Sequence, residues 1–199
     1  MATWVVLVGS SRKNGRSAKA AAEFARWVAQ KKPQVELEVF SIGQLDLEPC
    51  TGCNMCTKTY TCIKEDDANT VLEHVLAAER LVVFTPVYFA GLPAPFKALI
   101  DRFQPLFWKR ADLKKAGQDL LVKRPASVVV FGEGNDPHGW EPAVVSLRSA
   151  LALADFALAD VQACIGRSAK PDYSALAEAA VLPVQAANSA HDAAQGAGE

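Results

Sequence analysis

The feature that most limits what this chain can become is a repeated change of period. Trp4 to Val8 (WVVLV) is an unbroken apolar, β-branched run that stops at Gly9, and it predicts a strand buried on both faces, as in parallel sheets. After a polar loop, Ser17 to Lys32 places Ala18, Ala21, Ala22, Ala25, Val28 and Ala29 at helical spacing beside Phe24 and Trp27, and Pro33 ends the pattern. Val35 to Phe40 (VELEVF) alternates and predicts a second, more exposed strand. Leu81 to Phe84 (LVVF), Ser127 to Phe131 (SVVVF) and Ala157 to Ile165 predict three more. Helices are predicted between them. One runs from about Asp66 to Ala78, with Asp66, Asp67 or Asn69 available as caps. Another spans Phe96 to Phe103, entered through Pro93 and Pro95. The others span Val144 to Ala154 and about Ser174 toward Asn188.

Strands alternating with helices imply a parallel sheet covered on both faces. Five strands fit the order 2-1-3-4-5 and a truncated dinucleotide fold alike. With 199 residues and no visible repeat or linker, the expectation is one domain over 1–188, carrying a cysteine-rich insert at 49–65. A small, polar tail at 189–199 is expected to fray. Composition narrows the function. Twenty-one basic against 22 acidic residues leave a net charge of −1, which excludes a generally basic nucleic-acid binder and gives no reason to sit on an anionic membrane. No apolar run approaches the ~18 residues of a spanning helix. The opening MATWVVLVGS is too short for a secretory signal, so a cytoplasmic location is expected.

In an open parallel sheet, ligands bind beyond the carboxyl ends of the strands, so three loops carry the functional reading. Gly9 to Ser17 (GSSRKNGRS) runs from a strand into a helix N-terminus, where backbone N–H groups and the helix dipole favour a phosphate. Ser10, Asn14 and Ser17 add neutral donors and Arg12 a charged one. The loop is neither a Walker A sequence nor G-x-G-x-x-G. Thr85 to Pro93 (TPVYFAGLP) is apolar, aromatic and proline-stiffened where loops are normally polar, which suits a flat ring system with polar edges. Gly132 to Trp140 is glycine-rich and can approach a ligand with its backbone; its His138 reads as a solvated loop histidine, and His74 and His191 have no evident partner.

Four of the five cysteines, Cys50, Cys53, Cys56 and Cys62, stand as C-x2-C-x2-C-x5-C. In a reducing compartment such crowding points to metal or redox chemistry rather than a disulfide framework. The first three match the opening of the ferredoxin pattern, in which thiolates wrap a cuboidal 4Fe–4S cluster. The fourth comes later, and no proline follows it. Structural zinc more often uses two separated knuckles. On spacing alone iron–sulfur, zinc and a metal-free loop stay open. Cys164 ends a strand and reads as a small core residue.

Together, GSSRKNGRS, PCTGCNMCTKTYTCIKEDD and TPVYFAGLPAPFKALIDR, in that order, resemble the NADPH-dependent FMN reductase family, with cysteine spacing similar to its iron–sulfur flavoprotein branch. The resemblance runs from Thr3 to about Ile165. It implies an α/β, flavodoxin-like three-layer sandwich with a five-stranded parallel sheet of order 2-1-3-4-5, bound FMN, and a homodimer or homotetramer that completes the flavin pocket across subunits. It implies that Ser10, Arg12, Asn14 and Ser17 hold the FMN phosphate, that Pro86, Val87, Tyr88 and Phe89 line the ring, and that Gly132 and Gly134 lie near its far side. Electrons would come from NAD(P)H or a ferredoxin-like donor and pass to free flavin, a quinone or an iron–sulfur partner. A non-enzymatic electron carrier, a cluster-free NAD(P)H-dependent reductase, and a flavodoxin-like module that has lost the flavin and binds another phosphate ligand are the alternatives.

Two further features have plainer readings. Lys109, Arg110, Lys114, Lys115, Lys123 and Arg124 form a basic stretch that reads as a solvated face. Phe103, Leu106, Phe107 and Trp108 form an apolar clump that reads as an oligomer contact first and as plain core packing second.

Overall fold

The apolar runs become five parallel strands, and the computed structural model, which describes residues 2–118, 123–134 and 136–181, orders them 2-1-3-4-5. They are β1 (Ala2–Val8), β2 (Val35–Ser41), β3 (Arg80–Pro86), β4 (Arg124–Gly132) and β5 (Phe156–Ile165). The central strands are buried on both sides, and their side chains divide by the period of two that a pleated strand imposes. Val5, Leu7, Leu81, Val83, Val128 and Val130 pack into one layer. Val6, Val8, Val82, Phe84, Val129 and Phe131 pack into the other.

Helices α3 (Asp67–Ala77), α4 (Ala94–Asp101) and α6 (Glu141–Leu153) cover the first face. Helix α1 (Arg16–Lys31) and the short α7 (Tyr173–Glu178) cover the second. On that second face the fully buried Phe24 ring meets Phe84, Tyr173 and Trp27 at centroid distances of 5.7, 6.0 and 6.3 Å. Burying a side chain of this kind is worth about 1.5–3 kcal/mol. At the sheet edge β5 shifts register between Ala126 and Ser127 of β4, and the buried Ser127 hydroxyl donates to the Leu176 carbonyl.

Three expectations need correction. The helix expected at Phe96–Phe103 is α4, ending at Asp101. A second helix, α5 (Gln104–Lys115), starts directly behind it with Pro105 in its first turn. The apolar clump is thereby divided. Phe103 is buried, Leu106 packs on the core, Trp108 is half-buried, and Phe107 is exposed, with its ring set edge-on to Trp108 at 5.3 Å. The basic stretch is not simply a solvated face. Arg124 donates to the Leu76, Ala78 and Ala154 carbonyls, and Arg110 pairs with Asp155 at 2.5 Å, so these cations close the C-terminal ends of α3 and α6. The final helix stops at Glu178, where the backbone turns extended at Ala179 and Arg80 takes the Leu176 and Ala179 carbonyls. The rest of that expected helix beyond 181, and the tail at 189–199, lie outside the described residues.

Candidate functional site

The carboxyl ends of β1, β3 and β4 open onto a cleft of about 590 Å³, within the range usual for ligand pockets. One wall is the loop between β1 and α1. Gly9 is required where that loop begins, since a Cβ there would stand 2.5 Å from the Phe96 ring and 2.6 Å from the Thr85 hydroxyl. The loop then turns through Ser10, whose hydroxyl accepts the Arg12 N–H at 3.2 Å. Helix α1 begins after Gly15 with no side-chain cap and no acidic residue in its first turn. Its first N–H groups are therefore not competed for, and the adjoining end of the dipole carries partial positive charge. Ser10, Arg12, Gly15, Arg16 and Ser17 line this end, with Ser10 and Ser17 buried.

Arg16 has a second task. Its guanidinium donates to the carbonyls of Gly166 at 2.6 Å, Cys164 at 3.2 Å, and Gly132 and Ala169 at 3.4 Å, and lies over the Phe131 ring. The loops after β4 and β5 are thus tied to the start of α1. The Gly132–Gly134 segment passes close to Ile165. Gly134 takes φ +95°, where a Cβ would also lie 2.8 Å from that side chain.

The opposite wall is apolar. Pro86, Val87 and Tyr88 follow β3, and Val87 donates its N–H to the Phe131 carbonyl at 2.9 Å. Tyr88 and Gly91 exchange two backbone hydrogen bonds, so the chain reverses through Phe89 and Ala90 at φ 50° and 57°. Two non-glycine residues in the left-handed region mark a strained hairpin tip. Phe89, on that tip, is wholly exposed.

A second cavity, of about 460 Å³, is walled by all four clustered cysteines together with Arg102, Pro105 and Trp108. Between Cys50 and Cys62 the loop curls through Gly52, Asn54 and Tyr60, all at positive φ, and holds one helical turn, α2 (Cys56–Thr59). The Tyr60 hydroxyl donates to Asp112 on α5 at 2.9 Å. Cys50 and Cys53 are exposed, and Cys56 and Cys62 are half-buried. Burial pushes the Cys56 thiol up. Its own backbone N–H opposes this, and the neighbouring Cys62, Cys50 and Cys53 thiols add to the rise. Among the described residues no three His, Cys, Asp or Glu side chains converge on a point that would hold a single metal ion. A cuboidal cluster asks for something else, because each thiolate takes a different iron at a different corner. All four thiols line that one cavity, and four thiolates are the donor set such a cluster uses.

The cleft brings together Ser10, Arg12, Ser17, Pro86, Val87, Tyr88, Gly132 and Gly134 from three separate loops. Asn14 and Phe89 are not part of its wall. Trp140, Phe131, Ile165, Glu133 and Asp136 line it without having been singled out from sequence. Trp140 closes the glycine-rich loop as the N-cap residue of α6, and its place in the loop that follows β4 could have flagged it. His138 is exposed and lies outside the cleft wall. His74 does have a partner: its Nδ1 lies 2.6 Å from Glu38, beside the Phe40 ring.

A five-stranded sheet of this order, with its cleft above β1, β3 and β4, defines a flavodoxin-like α/β protein. The fold agrees with that of the azoreductase AzrA, at TM-score 0.59 over 83% of this chain and 87% of that one, with 14% identity. The chain matches the NADPH-dependent FMN reductase family over residues 2–170 and belongs to it. It is similar to an iron-sulfur flavoprotein of Methanocaldococcus jannaschii, with 35% identity over 98 residues, 49% of this chain and 50% of that protein. It is also similar to an iron-sulfur flavoprotein of Methanosarcina thermophila, with 35% identity over 118 residues, 57% of this chain and 59% of that protein. The matches thus span little more than half the length of these curated relatives. Among the described residues no helix is long and apolar enough to cross a membrane.

Proposed function

We propose that this chain is an FMN-dependent oxidoreductase that takes electrons from NAD(P)H or a reduced, ferredoxin-like protein and passes them to a flavin, quinone or redox-protein acceptor, with a 4Fe–4S cluster on Cys50, Cys53, Cys56 and Cys62. The observation that carries the reading is the two-ended cleft, with an uncapped helix N-terminus flanked by Ser10, Arg12 and Ser17 at one end and the apolar Pro86–Tyr88 wall at the other. A phosphate suits the first end and a flat ring the second. FMN bound there supplies the hydride and electron chemistry, and the protein supplies position and electrostatics.

In this reading Ser10 and Ser17 donate to phosphate oxygens, and Arg12 offsets their charge from the exposed side. Val87, Tyr88 and Trp140 shape the ring's surroundings, and the backbone at Gly132 and Gly134 approaches its edge. Phe89 stands outside the single-chain cleft, on an exposed tip beside it, where a homodimer or homotetramer would bring it against a second subunit. A pure electron carrier is the second reading, favoured by the exposure of Cys50 and Cys53 toward a protein partner.

Protein made and purified without oxygen tests these readings together. It should be coloured, carry about one FMN, and hold about four iron and four sulfide per chain. It should also oxidise NADH or NADPH continuously when flavin or quinone is supplied. Reduction without turnover selects the carrier, FMN without iron selects the cluster-free reductase, and failure to bind added FMN overturns the proposal.

A further inference from the structure

The cysteine loop is closed at its base by one buried guanidinium. Arg102, directly after α4 and 2% exposed, donates from Nη1 to the Asp66 carboxylate at 2.6 Å and to the Glu48 carbonyl at 3.0 Å. Its Nη2 donates to the Lys64 carbonyl at 3.3 Å, and its Nε to the Cys62 sulfur at 3.1 Å. Glu48 precedes the loop, and Lys64 and Asp66 follow Cys62, so one side chain grips both strands of the neck. The neck is also laced from within. The Glu48 N–H donates to Asp66 and the Asp46 N–H to Asp67, each at 2.8 Å, and Lys64 pairs with Glu48.

A buried arginine paired with an aspartate needs no role beyond structure. The Nε contact goes further. A neutral thiol is a weak acceptor, whereas a thiolate accepts a charge-assisted hydrogen bond readily, so this donor is matched to the ionised sulfur of a bound ligand. Donors of this kind orient metal ligands and set the potentials of iron–sulfur centres.

We propose that Arg102 is a positioning residue for the iron–sulfur centre: it fixes the neck, aims Cys62 as the fourth ligand, and favours the reduced centre through its Nε–H···S bond. The inference rests on the cluster reading above. One electron from a reduced, ferredoxin-like donor adds one negative charge to the centre as that donor is oxidised by one electron; Arg102 keeps its proton throughout, and no bond to it forms or breaks. A donor and a positive charge at the sulfur make that added charge less costly, so the reduction potential is higher with Arg102 than without it.

The test compares full-length wild type, Arg102→Lys and Arg102→Met, all purified without oxygen, with FMN content as the check on folding. Two readouts are taken, the rate at which an iron chelator bleaches the cluster and the midpoint potential from a titration followed by electron paramagnetic resonance. Arg102→Met should lose its cluster about 10- to 100-fold faster, the usual cost of removing a partner of a metal ligand. Arg102→Lys keeps the charge opposite Asp66 but not the fork, so its bleaching rate and potential should fall between those of Arg102→Met and wild type. If Arg102→Met does not retain FMN, Arg102→Lys alone decides, through its faster bleaching and lower potential. Iron-loaded wild type with variants of unchanged rate and potential overturns the inference and leaves the cluster reading standing. Wild type free of iron and sulfide overturns both.

Discussion

Replacing Asp66 by Asn isolates one charge at the base of the cysteine loop. The Asp66 carboxylate receives Arg102 at 2.6 Å and the Glu48 N–H at 2.8 Å on one oxygen, and the Ala68 N–H at 3.1 Å on the other. It is also the N-cap of α3. Asparagine caps a helix about as well as aspartate, so the substitution leaves the cap and removes the charge. Both members of the pair are 2% exposed. Leaving a buried ion without its partner costs about 3–5 kcal/mol, and here the lower end applies because Arg102 keeps two carbonyls and Cys62. At about 2–4 °C per kcal/mol for a domain of this size, the melting temperature should fall by roughly 6–12 °C at neutral pH. Acid gives the sign. Burial pushes the Asp66 carboxyl up, but Arg102 and the two backbone N–H groups outweigh it and hold it below the usual carboxylate range. The stabilisation is therefore complete above the unfolded value of about 3.9 and is lost as the pH falls through the lower folded value. Urea melts of both proteins at neutral pH and at about pH 3 read the difference. A wild-type advantage below about 1 kcal/mol at neutral pH, or one that stays constant into acid, would refute the reasoning.

Two further outcomes follow from the cleft and its rim. The double variant Ser10→Ala, Arg12→Ala should weaken FMN binding by about 2–4 kcal/mol, on the order of 30- to 1000-fold in Kd, since hydrogen bonds to a charged phosphate are worth about 1.5–3 kcal/mol each and Arg12 is exposed. Titration of apoprotein by flavin fluorescence checks it, and unchanged affinity removes the phosphate assignment. Phe89→Asp should leave thermal stability within about 0.5 kcal/mol, because the side chain touches nothing in its own chain, yet should shift the sedimentation coefficient toward the monomer. An assembly as large as that of the wild type would show that the tip is not in the subunit contact.

The parts of the fold legible from sequence are those set by local pattern. The short β-branched runs at Trp4–Val8, Leu81–Phe84 and Ser127–Phe131 read as strands, and all lie within central strands of the sheet. Helix α5 was missed because QPLFWKRADLKK lacks an apolar stripe; Pro105 is its one buried residue, and its aromatics face different surroundings. The cleft was legible as three loops, since topology puts strand ends together, but Phe131 and Ile165 read as strand interior rather than cleft wall. The neck of the cysteine loop was not legible at all. Arg102 lies 40 positions from Cys62 and ends a run, FKALIDR, in which nothing marks an arginine as buried. Such contacts follow from packing between distant segments, and no local period encodes them.

That packing also decides how the two cavities relate. Helix α4 has eight residues and spans about 12 Å at 1.5 Å per residue. It starts where the Pro86–Pro93 loop leaves the cleft and ends at Arg102 in the wall of the cysteine cavity. Between those ends Phe96 and Leu99 are fully buried, and Phe96 also fills the space that forces a glycine at position 9, the first residue of the phosphate-type loop. One short, rigid element therefore abuts the phosphate-type end of the cleft, adjoins its apolar wall and carries the clasp on the cysteines. Sites held on regular elements keep their geometry better than sites held by loops alone, and α4 is the regular element that links the apolar wall of one cavity to the arginine in the wall of the other.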